Sequence, residues 1–77
     1  MFDYNIHKEA SNKEFKSACV KIEKAFENAK KDNMLVDVDG SLVQSYWVDG
    51  KEIRILNDYE VDAVYAKSEI ELDNILN

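Results

Sequence analysis

Two Asp-Gly dipeptides, Asp39-Gly40 and Asp49-Gly50, each lie between runs rich in β-branched and aromatic residues. Asp-Gly suits the central pair of a type I′ turn, where both residues need positive φ, and it is the strongest short-range signal for a β-hairpin. Strands are therefore predicted over residues 34–38, 41–48 and 51–56. If both loops have two residues, the register follows. Val38 lies opposite Ser41 and Val36 opposite Val43, while Val48 meets Lys51, Trp47 meets Glu52 and Tyr46 meets Ile53. Alternation then places Leu35, Leu42, Tyr46, Val48, Ile53 and Ile55 on one face. Val36, Val38, Val43, Trp47 and Leu56 fall on the other, with Glu52 and Arg54 among them. A sheet with one wet side alternates apolar and polar residues cleanly, so this pattern calls for cover on both sides.

One source of cover lies upstream. Ser11 and Glu14 form a capping box, and after it Phe15, Ala18, Cys19, Ile22, Ala25, Phe26 and Ala29 recur at the spacing of one apolar helical stripe. Lys30 and Lys31 suit the negative end of the helix dipole, which predicts a long helix over about 11–31. Phe2, Tyr4 and Ile6 alternate with polar residues as a short terminal strand. Residues 57–77 fit two patterns. Tyr59, Val61, Ala63 and Tyr65 alternate as a strand over 59–66, followed by a second capping box, Ser68 to Glu71, and a short helix over 69–76. One continuous helix capped by Asn57 is the other pattern; strand then helix suits the β-rich composition better. The expected fold is one α+β domain over 1–77. A long N-terminal helix packs on an antiparallel meander of three or four strands, with a short C-terminal helix.

A single cysteine cannot form an internal disulfide, and no leader of the Met-basic-apolar kind opens the sequence. The expectation is a cytoplasmic protein. Charge is unevenly distributed: residues 1–31 carry a balance of +2 and residues 32–77 a balance of −8, for a net −6. A negative field repels phosphates, which argues against direct nucleic-acid binding and for a basic protein partner.

The stretch Asp37-Val38-Asp39-Gly40-Ser41-Leu42 resembles the first motif of the haloacid dehalogenase-like phosphatases. The resemblance implies Asp37 as nucleophile and Asp39 as general acid, with Ser41 where threonine is usual. It spans about ten residues and needs a parallel sheet, whose βαβ units take about thirty residues each. The stretch from Tyr46 to Leu56 leaves no room for such a crossover. A calcium loop with Gly40 at its sixth position would begin at Leu35 and end at Tyr46, which offer no carboxylates. One histidine, His7, and one cysteine, Cys19 on the helix stripe, supply neither zinc-ligand spacing nor a Cys-His pair. No catalytic residue, metal or cofactor is expected.

Surface chemistry is what remains. Trp47 is an interface anchor by residue type, and Asp49, Glu52, Arg54, Asp58, Glu60 and Asp62 surround it in sequence. The expected function is a small acidic, non-enzymatic inhibitor that docks on a basic surface of a nucleic-acid-processing or toxin enzyme. In general profile it is similar to the anti-CRISPR, anti-restriction and immunity proteins of phages and mobile elements. The competing expectation is a homodimeric structural module that buries the second sheet face against its own copy, with no inhibitory role.

Overall fold

The computed structural model describes residues 1–76. Along the chain run β1 (Phe2–His7), α1 (Asn12–Ala25), β2 (Lys30–Lys31), β3 (Leu35–Val36), β4 (Leu42–Val48), β5 (Lys51–Asp58) and β6 (Ala63–Ser68). Every one of these strands joins a single antiparallel sheet in the order β1-β6-β5-β4-β2, with β3 also pairing to β4. The chain is thus mostly β, with one 14-residue helix among the described residues. This corrects the expected α+β arrangement of a long N-terminal helix, a three- or four-stranded meander and a C-terminal helix.

The helix begins where its cap predicts, but it stops early. Ser11 Oγ accepts the Glu14 N–H at 3.2 Å. The Ser11 N–H goes instead to Oδ1 of buried Asn57 at 2.9 Å, so only half of the capping box forms. Phe15, Ala18, Cys19 and Ile22 face the sheet. The expected continuation to residue 31 fails after Ala25. Phe26 closes the helix, Ala29 N–H turns back to Phe26 O at 3.0 Å, and Lys30 and Lys31 pair with Trp47 and Tyr46. Glu27 and Asn28 are exposed, so another helical turn would bury little, while the ladder and a Lys31–Glu23 ion pair at 3.1 Å reward the strand.

The second hairpin has the register read from its turn. Asp49 and Gly50 hold φ of 51° and 79°, and Val48↔Lys51, Trp47↔Glu52 and Tyr46↔Ile53 are the partners. The first hairpin is displaced by one residue. Asp37 N–H bonds Ser41 O at 2.9 Å and Gly40 N–H bonds Asp37 O at 3.0 Å. Only Gly40 has positive φ in this loop, at 89°. That combination is a three-residue loop, a type I turn followed by a left-handed bulge residue. Val36 therefore faces Leu42, and Leu35 faces Val43. The two residues exchange the faces expected of them, and Val38 leaves the predicted strand 34–38 for the loop. Between β2 and β3 the edge strand carries one extra residue, and Gln44 Nε2 reaches the Asp32 carbonyl at 2.6 Å across the break.

The third turn also lies elsewhere than expected. β5 runs on past residue 56 to Asp58, whose Oδ1 accepts the N–H groups of Glu60 and Val61 at 2.9 and 3.3 Å. Asp62 then takes φ 54°. Tyr59 to Asp62 are consequently turn, and the strand expected over 59–66 occupies Ala63–Ser68. Ser68 does not cap a helix. Its buried hydroxyl donates to Ile70 O at 2.6 Å and accepts Ile70 N–H at 2.9 Å, a local turn that diverts the chain. Beyond it, Leu72 is buried and donates its N–H to Tyr4 Oη at 2.7 Å.

All core residues lie on one side. Phe15, Ala18, Cys19 and Ile22 of α1 meet Tyr46, Ile53, Ile55, Val64 and Ala66 of the sheet, and Leu72 joins them. Each large aliphatic side chain fully buried here contributes about 1.5–3 kcal/mol. The terminal segment packs on this same side through Ile70, Leu72, Ile75 and Leu76. It leaves the opposite face, with Val43, Ser45, Trp47, Glu52, Arg54, Leu56 and Tyr65, without cover from the described chain.

Candidate functional site

β4 and β5 bring part of the predicted docking set together on this open face. Trp47 is 39% exposed and lies across from Glu52. Its indole N–H donates to Asp32 Oδ2 at 3.2 Å, which fixes the ring over the sheet edge. Glu52 and Arg54 are two apart on β5, hence on one face, and pair at 3.0 Å. This surface pair is worth no more than about 1 kcal/mol to stability. Asp49 sits in the adjoining turn and, with Trp47 and Lys30, edges a shallow hollow. Trp47, Asp49, Glu52 and Arg54 therefore form one patch.

Asp58, Glu60 and Asp62 do not belong to that patch. They lie at the other end of β5, about 20 Å from Glu52 at strand rise. Asp58 Oδ2 accepts the Tyr65 hydroxyl at 2.9 Å in addition to its turn bonds, and burial, with Asp58 beside it, pushes the Tyr65 phenol above its ordinary range. Asp62 Oδ1 accepts the Ala10 N–H at 2.9 Å, tying the last turn to the approach of α1. These two carboxylates organise backbone. Sequence alone did not separate that role from docking, because turns and acidic surfaces draw on the same residue type.

Glu60 instead joins residues of the first hairpin. A hollow of about 340 Å³ has Asp37, Asp39, Asp58 and Glu60 on its rim, with Leu35, Val36, Val43 and Leu56 among its apolar lining. No lysine, arginine or histidine lines it. The phosphatase resemblance receives no structural support: Asp37 and Asp39 flank a hairpin tip, and an antiparallel strand follows Ser41 in place of a crossover. Asp37 Oδ1 bonds the Val38 N–H at 2.7 Å, and Asp39 Oδ1 bonds the Ser41 N–H at 2.8 Å. Bonds from the Ser41 amide and then its hydroxyl hold the Asp39 carboxyl below the usual carboxylate range.

A polar cluster under the helix was not anticipated. Tyr46 Oη donates to Glu23 Oε2 at 2.5 Å, and Lys31 Nζ approaches the same oxygen at 3.1 Å. The Tyr46 hydrogen bond, then Lys31, holds the Glu23 carboxyl below its usual range. Burial, reinforced by Glu23 and Cys19, pushes the Tyr46 phenol far above the ordinary tyrosine range. Burial likewise pushes the Cys19 thiol up, which disfavours the nucleophilic thiolate. The available signal was positional: Cys19 and Glu23 are four apart on the helix, and Tyr46 points to it. At the opposite edge, His7 Nδ1 lies 3.0 Å from the Glu9 carbonyl oxygen.

Among the described residues, no three His, Cys, Asp or Glu side chains are grouped to hold a metal ion. No helix among them is long and apolar enough to cross a membrane. Fold and surface define a class: a small antiparallel sheet, sealed on one face by a helix and the terminal segment and left open on the other by the described residues, with an acidic end. Set against known proteins, the chain finds no matching family model, no matching curated protein and no matching solved structure.

Proposed function

We propose that the chain is a small acidic binding protein, without enzymatic activity, that acts in the cytoplasm by docking its open sheet face on a basic surface. The target class is a nucleic-acid-processing or toxin enzyme, and the mechanism is steric or charge-mimicking blockade. The observation that carries this reading is Trp47, held by Asp32 beside Asp49 and Glu52 on a face that the described chain leaves bare. A large aromatic amid carboxylates suits an interface whose centre is desolvated and whose rim attracts a basic partner. Asp58, Glu60 and Asp62 add negative field from the far end of β5, and Arg54 orients Glu52.

The test is affinity capture with the full chain from its native host, repeated with Trp47→Ala and Glu52→Lys. A basic enzyme is expected to elute with rising salt, to be inhibited by the native chain, and to bind each variant at least about tenfold more weakly. A partner held equally well by both variants overturns the reading. The homodimeric alternative draws on the same uncovered face. Concentration-dependent sedimentation that Trp47→Ala abolishes, with no captured enzyme, would favour it.

A further inference from the structure

The sheet has a second unpartnered feature besides its open face. β3 is an edge strand, and both of its side chains are exposed: Leu35 is 65% accessible on one face and Val36 64% on the other. Val38, in the loop that follows, is fully exposed, and Tyr59 and Val61 stand out on the facing turn. Asp37 and Ser41 are a hydrogen-bonded pair, so by antiparallel alternation the N–H and C=O of Val36 point away from β4 into solvent. Native sheets blunt their edges with bulges and charge. Here the bulge protects residues 32–34, and past it Val36 is bare.

We propose that the β3 edge receives an extended segment of a protein partner as an added strand. Its backbone pairs with Val36, and on the open face of the sheet an apolar side chain lies against Leu35 while a lysine or arginine two residues away meets Asp37. Charge complementarity selects the occupant. The hollow that runs from Leu35 and Asp37 across β4 to Glu60 is rimmed by carboxylates and, among the described residues, lined by no lysine, arginine or histidine, so its field favours a segment that carries an apolar and a basic residue on the same face. A second copy of this chain fits poorly, because edge-to-edge pairing would bring two sets of carboxylates together. Backbone pairing supplies affinity in this mode and the alternate side chains supply specificity. The inference rests on the binding-protein reading above, yet it assigns a contact separate from Trp47.

The experiment uses the full chain, isotope-labelled for NMR, titrated with a blocked hexapeptide in which threonines alternate with valine, lysine and valine, so that valine and lysine share one face, and with the counterpart that has glutamate in place of lysine. The lysine peptide is expected to shift the amides of residues 35–38 and to slow hydrogen exchange of the Val36 N–H at least about tenfold. Glu60→Lys is expected to weaken it by about tenfold. Glu60 suits this test because it stands on the rim of the same hollow and its carboxylate makes no hydrogen bond or ion pair among the described residues. Val36→Pro removes the outward N–H without costing a ladder bond, and is expected to abolish pairing while leaving the β4–β5 spectrum intact. Equal binding of the glutamate peptide, shifts confined to Trp47 or β1, or no binding at millimolar peptide each overturn the proposal. So does sedimentation of the chain alone as a dimer that Val36→Pro disperses. The two readings fail separately. If a captured enzyme is lost with Trp47→Ala but kept by Val36→Pro, the edge proposal falls and the face reading stands. If the peptide pairs at Val36 and no enzyme is captured through Trp47, the edge proposal stands and the face reading falls.

Discussion

At Asp49-Gly50 both residues hold positive φ and the chain returns along β5 for the whole length of β4, whereas at Asp39-Gly40 only the glycine does and regular pairing on β3 stops after two residues. The same dipeptide thus closes two different loops. Its neighbours account for the difference. The Asp49 turn joins strands whose helix-facing residues, Tyr46, Ile53 and Ile55, are all fully buried, so burial enforces the register. The Asp39 turn joins an edge on which Leu35 and Val36 both remain exposed, so no face is buried strongly enough to dictate pairing. Local bonds decide there, and the carboxylates of Asp37 and Asp39 both hold backbone of the loop. The sealed hairpin carries stability; the exposed one is left with apolar side chains and negative charge, which suits binding.

The largest expected contrast between the two hairpins is in stability. Ile55→Ala empties a fully buried position of β5 and should cost about 3–4 kcal/mol. Val36→Ala on β3 should cost about 0.5 kcal/mol or less. Urea unfolding of both variants checks this, and comparable losses would mean that the β3 edge is covered in solution. Asn57→Ala comes next. Asn57 lies opposite Leu42, with Oδ1 on Ser11 N–H and Nδ2 on Asn12 Oδ1, both at 2.9 Å. Its loss leaves the Ser11 amide unsatisfied at the start of α1, for about 1–3 kcal/mol by the same measurement.

Legibility divided along the same line. The second hairpin was readable because turn chemistry and alternation agree over Tyr46 to Ile53, and with it came the pairing of Trp47 with Glu52. The start of α1 was readable from Ser11. The rest turned on competitions that a one-dimensional pattern does not weigh. Ala29 continues the helical period, yet Lys30 and Lys31 gain more from Trp47 and Tyr46 as ladder partners. Ser68 with Glu71 has the spacing of a cap, yet the Ser68 hydroxyl closes on Ile70. Asp58 and Asp62 look like surface charge, yet Asp58 accepts the Glu60 and Val61 amides and the Tyr65 hydroxyl, and Asp62 accepts the Ala10 amide from far along the chain. The acidic hollow was illegible for a related reason, since it joins the first hairpin to the last turn.

The Lys31–Glu23 contact pins the root of the exposed hairpin to the helix and makes its hold depend on pH. Because the Tyr46 hydrogen bond and then Lys31 lower the Glu23 carboxyl in the folded state, its stabilisation is present above the ordinary glutamate range and is lost as pH falls through the lowered value. Amide protection in Asp32 to Leu35 should therefore fall under acid before that in the β4–β5 hairpin. Glu23→Gln should remove this early step, as hydrogen exchange corrected for intrinsic rates can measure. Simultaneous loss in both regions would show that the hairpins open as one unit.

The smallest effects are expected at the turns, and there they should differ in sign. Asp49 holds a left-handed backbone that a side chain disfavours, so Asp49→Gly should relieve strain and stabilise by about 0.5 kcal/mol once the added freedom of the unfolded chain is subtracted. Asp39 has no such strain, and its Oδ1 accepts the Ser41 amide. Asp39→Gly therefore gives up a bond and gains only unfolded-state entropy, and it should destabilise by about 1 kcal/mol. Paired thermal melts check the sign. If Asp39→Gly also stabilised, the first loop would be a type I′ turn in solution. Val36 would then return to its place opposite Val43, and its N–H would turn inward from the edge assigned to a partner strand.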